Sequence, residues 1–355
     1  MRPARDSWVN PALALFVSAL AGAGFAALRA PLPWMIGPLL AMAASNFAGA
    51  GLRAPKGGRS AGQIVIGTAL GLYFTPVVAR QVASFWPLLL LAGLFAILLG
   101  VLSGWVLSRL ARTDATTAFF ASIPGGAAEM TILGERYGAR PDRVALAQSL
   151  RILVVVIVIP FALTYSGAHG DDIYQPISVP VNYGHLVLLL SGGLAVALLL
   201  DRYKVPNAFM FGPLALMIVL TANEVQLSSM PSALSNAAQV MIGCALGARF
   251  ERRSLESAPR YVGGVLASVL LAVVVAVAFA GVLGWAAGLP VASLVLATAP
   301  GGIAEMCITA KVLQLGVPLV TAAHVTRVLV LITTTGPGYR LARTWARRVR
   351  TGKSM

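Results

Sequence analysis

The sequence predicts an all-α, polytopic helical membrane protein, and three observations predict it. Of the 355 residues, 58% are hydrophobic and only 11% are charged, with a mean hydropathy of +0.82, too apolar for a soluble chain of this length. Apolar runs near the length a bilayer core demands, about 20 residues per helix, recur along the chain. The short alternating segments of a membrane β-barrel are missing from the pattern.

The first run, Pro11–Leu28, follows Arg2 and Arg5. It reads as an uncleaved first span rather than a signal peptide, because a counterpart recurs at His185–Leu200. Trp86–Leu107 and Val144–Leu163 follow, then a polar stretch, Thr164–Tyr183, that holds Asp171 and Asp172 but no Lys or Arg. Beyond it lie His185–Leu200, Ala208–Ala222, Tyr261–Trp285 and Pro318–Ile332. The expected organisation is a first membrane repeat over 1–165, a polar periplasmic connector over 166–183, a second membrane repeat over 184–340 and a basic cytoplasmic tail over 341–355.

The halves repeat each other. Pro124-Gly125-Gly126-Ala127-Ala128-Glu129-Met130 returns 176 residues later as Pro300-Gly301-Gly302-Ile303-Ala304-Glu305-Met306. At the same offset Gln63–Gly71 matches Gln239–Gly247 and Arg151 matches Arg327, while Gly37-Pro38-Leu39 matches Gly212-Pro213-Leu214 one residue out of register. Four such blocks make the chain a tandem duplication.

Charge decides how the halves sit. If every apolar segment crosses, each half has six spans, the repeats are parallel, and the basic residues divide almost evenly between the two sides. If each Pro-Gly-Gly segment enters and leaves on one side, each half has five spans and the repeats are inverted. All but five of the 27 Lys and Arg then fall on the cytoplasmic side: Arg29, Arg80 and Lys311 lie opposite, and Arg151 and Arg327 lie within spans. The positive-inside rule selects this second arrangement, with both termini cytoplasmic.

Inverted repeats with interrupted membrane segments are a mark of secondary transporters, whose irregular backbone near the midplane forms the binding site. Proline lacks a donor and clashes with the preceding turn, and glycine permits unusual dihedrals, so Pro124-Gly125-Gly126 and Pro300-Gly301-Gly302 predict two broken-helix elements. Freed carbonyls and amides are tolerated at that depth only against protein or a water-filled cavity. Glu129 and Glu305 are the two carboxylates within apolar segments, where a charge costs on the order of 3 kcal/mol. A place in the first turn of the resuming helix favours their ionised form through the helix dipole, and protonation or cation binding there is a natural coupling event.

Arg151 and Arg327 are candidate counter-charges or anion ligands; the competing reading makes them permanent buried pairs that fix helix packing. Gln63 and Gln239 are candidate cavity-lining residues or interhelical glue. His324, one turn before Arg327, is a candidate relay, although its counterpart is Gln148 and a lone hydrogen-bonded histidine accounts for it as well. The Gly67/Gly71 and Gly243/Gly247 spacings mark close helix packing and permit association between copies.

Other classes are disfavoured. The net charge of +15 is spread as short clusters between spans, and no polar segment is long enough to fold into a nucleic-acid-binding module. Cys244 and Cys307 sit in apolar segments, and His169, His185 and His324 have no ligand spacing, so neither a metal, a cofactor nor enzyme chemistry is expected.

The twin Pro-Gly-Gly-x-Ala-Glu-Met motif, with the repeated Gly-Pro-Leu and Ile-Gly-x-Ala-Leu-Gly blocks, resembles the bacterial AbrB-type integral membrane family from about residue 12 to 340. The resemblance implies an inner-membrane protein distantly related to cation/proton antiporter and anion transporter folds. It also brings two labels, ammonia monooxygenase and regulator of gene expression. The first needs a metal cluster the sequence lacks; the second is open to an indirect route, through movement of an effector or ion. The expectation is therefore a secondary transporter of a small solute or ion coupled to protons or cations, with a membrane-embedded regulator or sensor as the alternative.

Overall fold

The computed structural model describes residues 6–168, 179–250 and 258–350, so Asp171, Asp172, Arg252 and Arg253 lie outside the described residues. Every regular element among them is a helix: α1 (Asp6–Ala27), α2 (Pro33–Phe47), α3 (Gly58–Gly71), α4 (Pro76–Ser84), α5 (Trp86–Ala111), α6 (Ala115–Ser122), α7 (Ala127–Arg136), α8 (Pro141–Tyr165), α9 (Tyr183–Arg202), α10 (Ala208–Ala222), α11 (Ser232–Gly247), α12 (Pro259–Ala287), α13 (Val291–Thr298), α14 (Ile303–Leu313) and α15 (Val317–Arg350).

Six helices, α1, α5, α8, α9, α12 and the first part of α15, are long and apolar enough to cross a membrane. The pair α3 and α4, bent by 93°, is a seventh candidate. The bend has a local cause: Thr75 takes the N-cap of α4 and Pro76 its first turn, where a missing amide costs nothing. Large apolar side chains such as Phe16, Leu98, Val187 and Val274 stay exposed along these helices. So much apolar surface fits acyl chains rather than water, and the chain is a polytopic helical membrane protein.

Two bundles result. One combines α1–α3 with α9–α11. Here α3 runs parallel to α10, Gly67 lying on the Met210 carbonyl and Gly71 against Leu214 and Met217; α2 runs parallel to α11, with Met35 beside Gly243 and Leu39 beside Gly247. The helices α3 and α11 cross antiparallel, since Gly62 abuts Ala238 and Ile242 while Ile66 and Leu70 share a cavity with Ser232 and Ser235. The backbones approach this closely because the contact residues are glycines.

The second bundle combines α5–α8 with α12–α15. Its axis is the antiparallel pair α5 and α12, where Phe95 stacks on Phe279 with centroids 3.8 Å apart and Gly264 meets Leu107 and Ala111. Helices α8 and α15 flank this pair and carry the short elements that build the site.

Candidate functional site

The arms α6 and α7 have 8 and 10 residues, about 12 and 15 Å of helix, each too short for a hydrocarbon core of about 30 Å. They fold into a hairpin. The amide of Arg140, past the end of α7, donates to Thr117 Oγ1 near the start of α6 at 2.9 Å, and the Phe120 and Tyr137 rings stack at 5.6 Å. Arms α13 and α14 do the same: Gly316 lies against Ser293, and these two residues stand 176 positions after Arg140 and Thr117.

Each hairpin turns at its Pro-Gly-Gly. The chain is extended at Ile123 and Gly126 and at Ala299 and Gly302, so both helical ladders stop there. The rest of the motif packs onto the turn: Met130 covers Gly125 and Met306 covers Gly301, while the carboxylates of Glu129 and Glu305 fold back over Gly126 and Gly302, where a Cβ would collide with them. These glutamates occupy the third position of helices whose N-caps are the glycines, the place where a carboxylate meets unpaired amides and the positive end of the dipole.

The carbonyls freed by the break are taken by the arginines. Arg151 donates from Nη1 to the Ile123 carbonyl at 2.8 Å and from Nη2 to Gly125 at 3.2 Å. Arg327 makes the equivalent pair, to Ala299 at 2.7 Å and Gly301 at 2.6 Å. One turn earlier, Gln148 Nε2 donates to the Phe120 carbonyl at 2.9 Å and His324 Nε2 meets the Leu296 carbonyl at 2.9 Å, again 176 residues apart. The arginines therefore clamp the hairpin tips, and no Arg–Glu ion pair joins them to Glu129 or Glu305 among the described residues.

The two tips converge on one cavity of about 40 Å³ between the bundles. The hairpin bundle contributes Pro124–Ala127, Gly301–Glu305, Arg151 and Arg327; the other bundle contributes Arg59 and Gln63 from α3 with Asn207 and Met210 at the start of α10. Glu305 is 1% exposed, and its Oε1 has no hydrogen-bond partner among the described residues. Pro300 lines an adjoining recess that Pro124 and Arg151 share.

Not every candidate reaches this cavity. Glu129 is half-buried and outside the lining, His324 faces the Leu296 carbonyl, and Gln239 lines a separate cavity of about 250 Å³ with Ile66, Leu70 and Lys311. Arg59 and Asn207 escaped the sequence reading, Arg59 because it sits in a basic cluster that resembles an ordinary cytoplasmic loop. No group of three or more His, Cys, Asp or Glu side chains suited to a metal occurs among the described residues.

The hairpins also differ in cover. Ile132 on α7 is 54% exposed, whereas its counterpart Ile308 on α14 is 2% exposed. Helix α14 is packed against α3 and α8 in addition to α15, while α7 rests mainly on α6 and α8.

Two known proteins and one family model match most of this chain in sequence. A protein from Bacillus subtilis (strain 168) named "Uncharacterized protein YhjN" is 28% identical over 309 residues, 79% of this chain and 77% of its own. "Putative regulator AbrB" from Escherichia coli (strain K12) is 27% identical over 331 residues, covering 90% of this chain and 92% of its own. The family model described as "Transition state regulatory protein AbrB" matches residues 34–343, nearly the whole membrane portion including both hairpins, and the chain belongs to the AbrB family.

Proposed function

We propose that this protein is a secondary transporter of a small solute or ion, coupled to protons or cations, in the bacterial inner membrane. Ten spans form two inverted repeats of five, with α6–α7 re-entering from the cytoplasm and α13–α14 from the periplasm, and both termini cytoplasmic. The antiparallel crossings of α3 on α11 and α5 on α12 support the inversion, because each pair consists of equivalent helices running in opposite directions. On this reading α2, α3, α10 and α11 are short spans inside their bundle, where mismatch with the bilayer is small in cost.

The observation that carries the function is the meeting of both Pro-Gly-Gly tips at one polar cavity between two bundles. Broken elements at a bundle interface are the setting of alternating access. The unequal cover of Ile132 and Ile308 fits a state open toward the cytoplasm and closed toward the periplasm. Glu305 and Glu129 are the coupling carboxylates; Arg151 and Arg327 preserve the tips that hold them. No covalent chemistry, cofactor or nucleic-acid contact enters this function.

The test is flux in proteoliposomes containing a pH-sensitive dye or a sodium-sensitive dye, challenged with acetate, methylammonium and amino acids. The wild type is expected to move protons or sodium with one of these solutes, and the Glu129→Gln, Glu305→Gln double variant to lose that coupling. Coupling unchanged in the double variant would remove the role assigned to the carboxylates.

The name of the Escherichia coli relative favours a second reading, a membrane-embedded regulator that acts on gene expression indirectly. Such a protein binds a ligand without flux, and its deletion alters transcription even when the solute is absent.

A further inference from the structure

We infer that the solute is a small anion of the carboxylate class, held between the Arg59 guanidinium and the Gln63 amide on one bundle and the two hairpin tips on the other. The inference rests on the transporter reading and deepens it by naming the substrate's chemistry.

Helix dipoles do not decide the sign of the ligand. Each tip presents one helix C-terminus and one N-terminus, roughly half a charge of opposite sign each, so the pair cancels to first order. The lining side chains decide it instead. Among the described residues, three guanidiniums, Arg59, Arg151 and Arg327, face the cavity against a single carboxylate, Glu305. Arg151 and Arg327 spend both terminal nitrogens on tip carbonyls. Arg59 makes no hydrogen bond or ion pair among the described residues, and it is the uncommitted cation of the site.

Arg59 is set apart from its own cluster. Arg53 and Lys56 are exposed, as cytoplasmic loop charges ordinarily are, whereas Arg59 is half-buried and turned to the cavity one turn before Gln63. Gln63 is 8% exposed, lines the same cavity and has no hydrogen bond to the described residues. A planar fork beside an amide donor matches a carboxylate. Glu305 Oε1, buried and unpartnered, then serves the cation or proton that travels with the anion.

The excess of positive charge continues to either side. Arg249, just past α11, lies within electrostatic reach of Arg59, Glu129 and Glu305. Toward the other face, the larger cavity along α3 is lined by Lys311 and, among the described residues, by no carboxylate. A cationic solute would meet net repulsion along this track, and a neutral one would leave Arg59 desolvated without a partner. The cavity of about 40 Å³ has room for only a few waters in this conformation, which selects formate and acetate as the first probes.

The experiment measures thermal unfolding of the purified full chain in detergent, at constant ionic strength against chloride, with formate, acetate, the isosteric neutral acetamide, and methylammonium. Formate or acetate is expected to raise the melting temperature saturably, and acetamide and methylammonium to leave it unchanged. Arg59→Gln should weaken the anion at least about tenfold, Arg59→Lys less, and Arg80→Gln, away from the cavity, not at all. Equal stabilisation by acetamide or methylammonium, an unaltered acetate response in Arg59→Gln, or no anion response would overturn the inference. Acetate binding without flux would leave the anion site standing and remove the transporter reading; methylammonium flux without acetate binding would do the reverse.

Discussion

Arg327 donates to the carbonyl of Gly301 at 2.6 Å, inside the break whose resuming helix carries Glu305. With its second bond, to Ala299, this guanidinium replaces the two ladder partners that Pro300-Gly301-Gly302 removes. The two residues of this hairpin therefore stand apart: the arginine keeps the tip folded, and the glutamate's Oε1 is left without a hydrogen-bond partner among the described residues.

Arg327→Leu should destabilise the protein by about 3 kcal/mol, because two carbonyls in a dry interior lose charge-assisted partners. Arg327→Lys should recover part of this, since a single ammonium reaches one carbonyl better than two. Melting in detergent measures both, and an Arg327→Leu variant as stable as the wild type would contradict the clamp.

Gly302→Ala tests the motif's second glycine. Its φ of −79° and ψ of 156° suit any residue, so the backbone tolerates alanine; the added methyl collides only with the Glu305 carboxylate. Stability is expected to change by less than about 1 kcal/mol while solute flux falls at least tenfold. Retained flux would detach Glu305's position from function.

His324→Gln should be nearly silent. Gln148 already performs the equivalent task, bonding Phe120 where His324 bonds Leu296. Flux and its pH dependence are expected to match the wild type, whereas His324→Leu should lose about 1–2 kcal/mol of stability. A shifted pH profile in His324→Gln would restore the histidine as a relay.

Much of this was legible in the sequence, for physical reasons. A lipid solvent forces long apolar spans, and Pro-Gly-Gly followed by glutamate cannot continue one as ordinary helix. The twin motif also announced its own recurrence. What escaped was whatever depends on the third dimension. A buried arginine 22 residues after a glutamate looks like its counter-charge, yet the nearest need at Arg151 is the pair of carbonyls at Ile123 and Gly125. Duplicated motifs also read as equal, and only packing separates Glu305, sealed beside α3, from Glu129 on the uncovered α7. Gln63 and Gln239 match in sequence but line different cavities for the same reason.

The inverted arrangement makes a prediction for topology. Alkaline phosphatase inserted in the connector, residues 166–183, should be active, and green fluorescent protein fused after Met355 should fluoresce. An inactive connector fusion would require an even number of spans in the first half, and a dark C-terminal fusion an odd total; either would overturn the arrangement.

Alternating access is tested most directly by thiol labelling at Ile132 and Ile308, in a background with Cys244 and Cys307 replaced by serine. Membrane-impermeant maleimide is applied separately to right-side-out and inverted vesicles carrying the Ile132→Cys or Ile308→Cys variant. Ile132→Cys is expected to be labelled from the cytoplasmic side, Ile308→Cys more slowly and from the periplasmic side, with acetate shifting the two rates in opposite directions. Labelling of both from one side, or an Ile308→Cys variant that never reacts, would contradict alternating access.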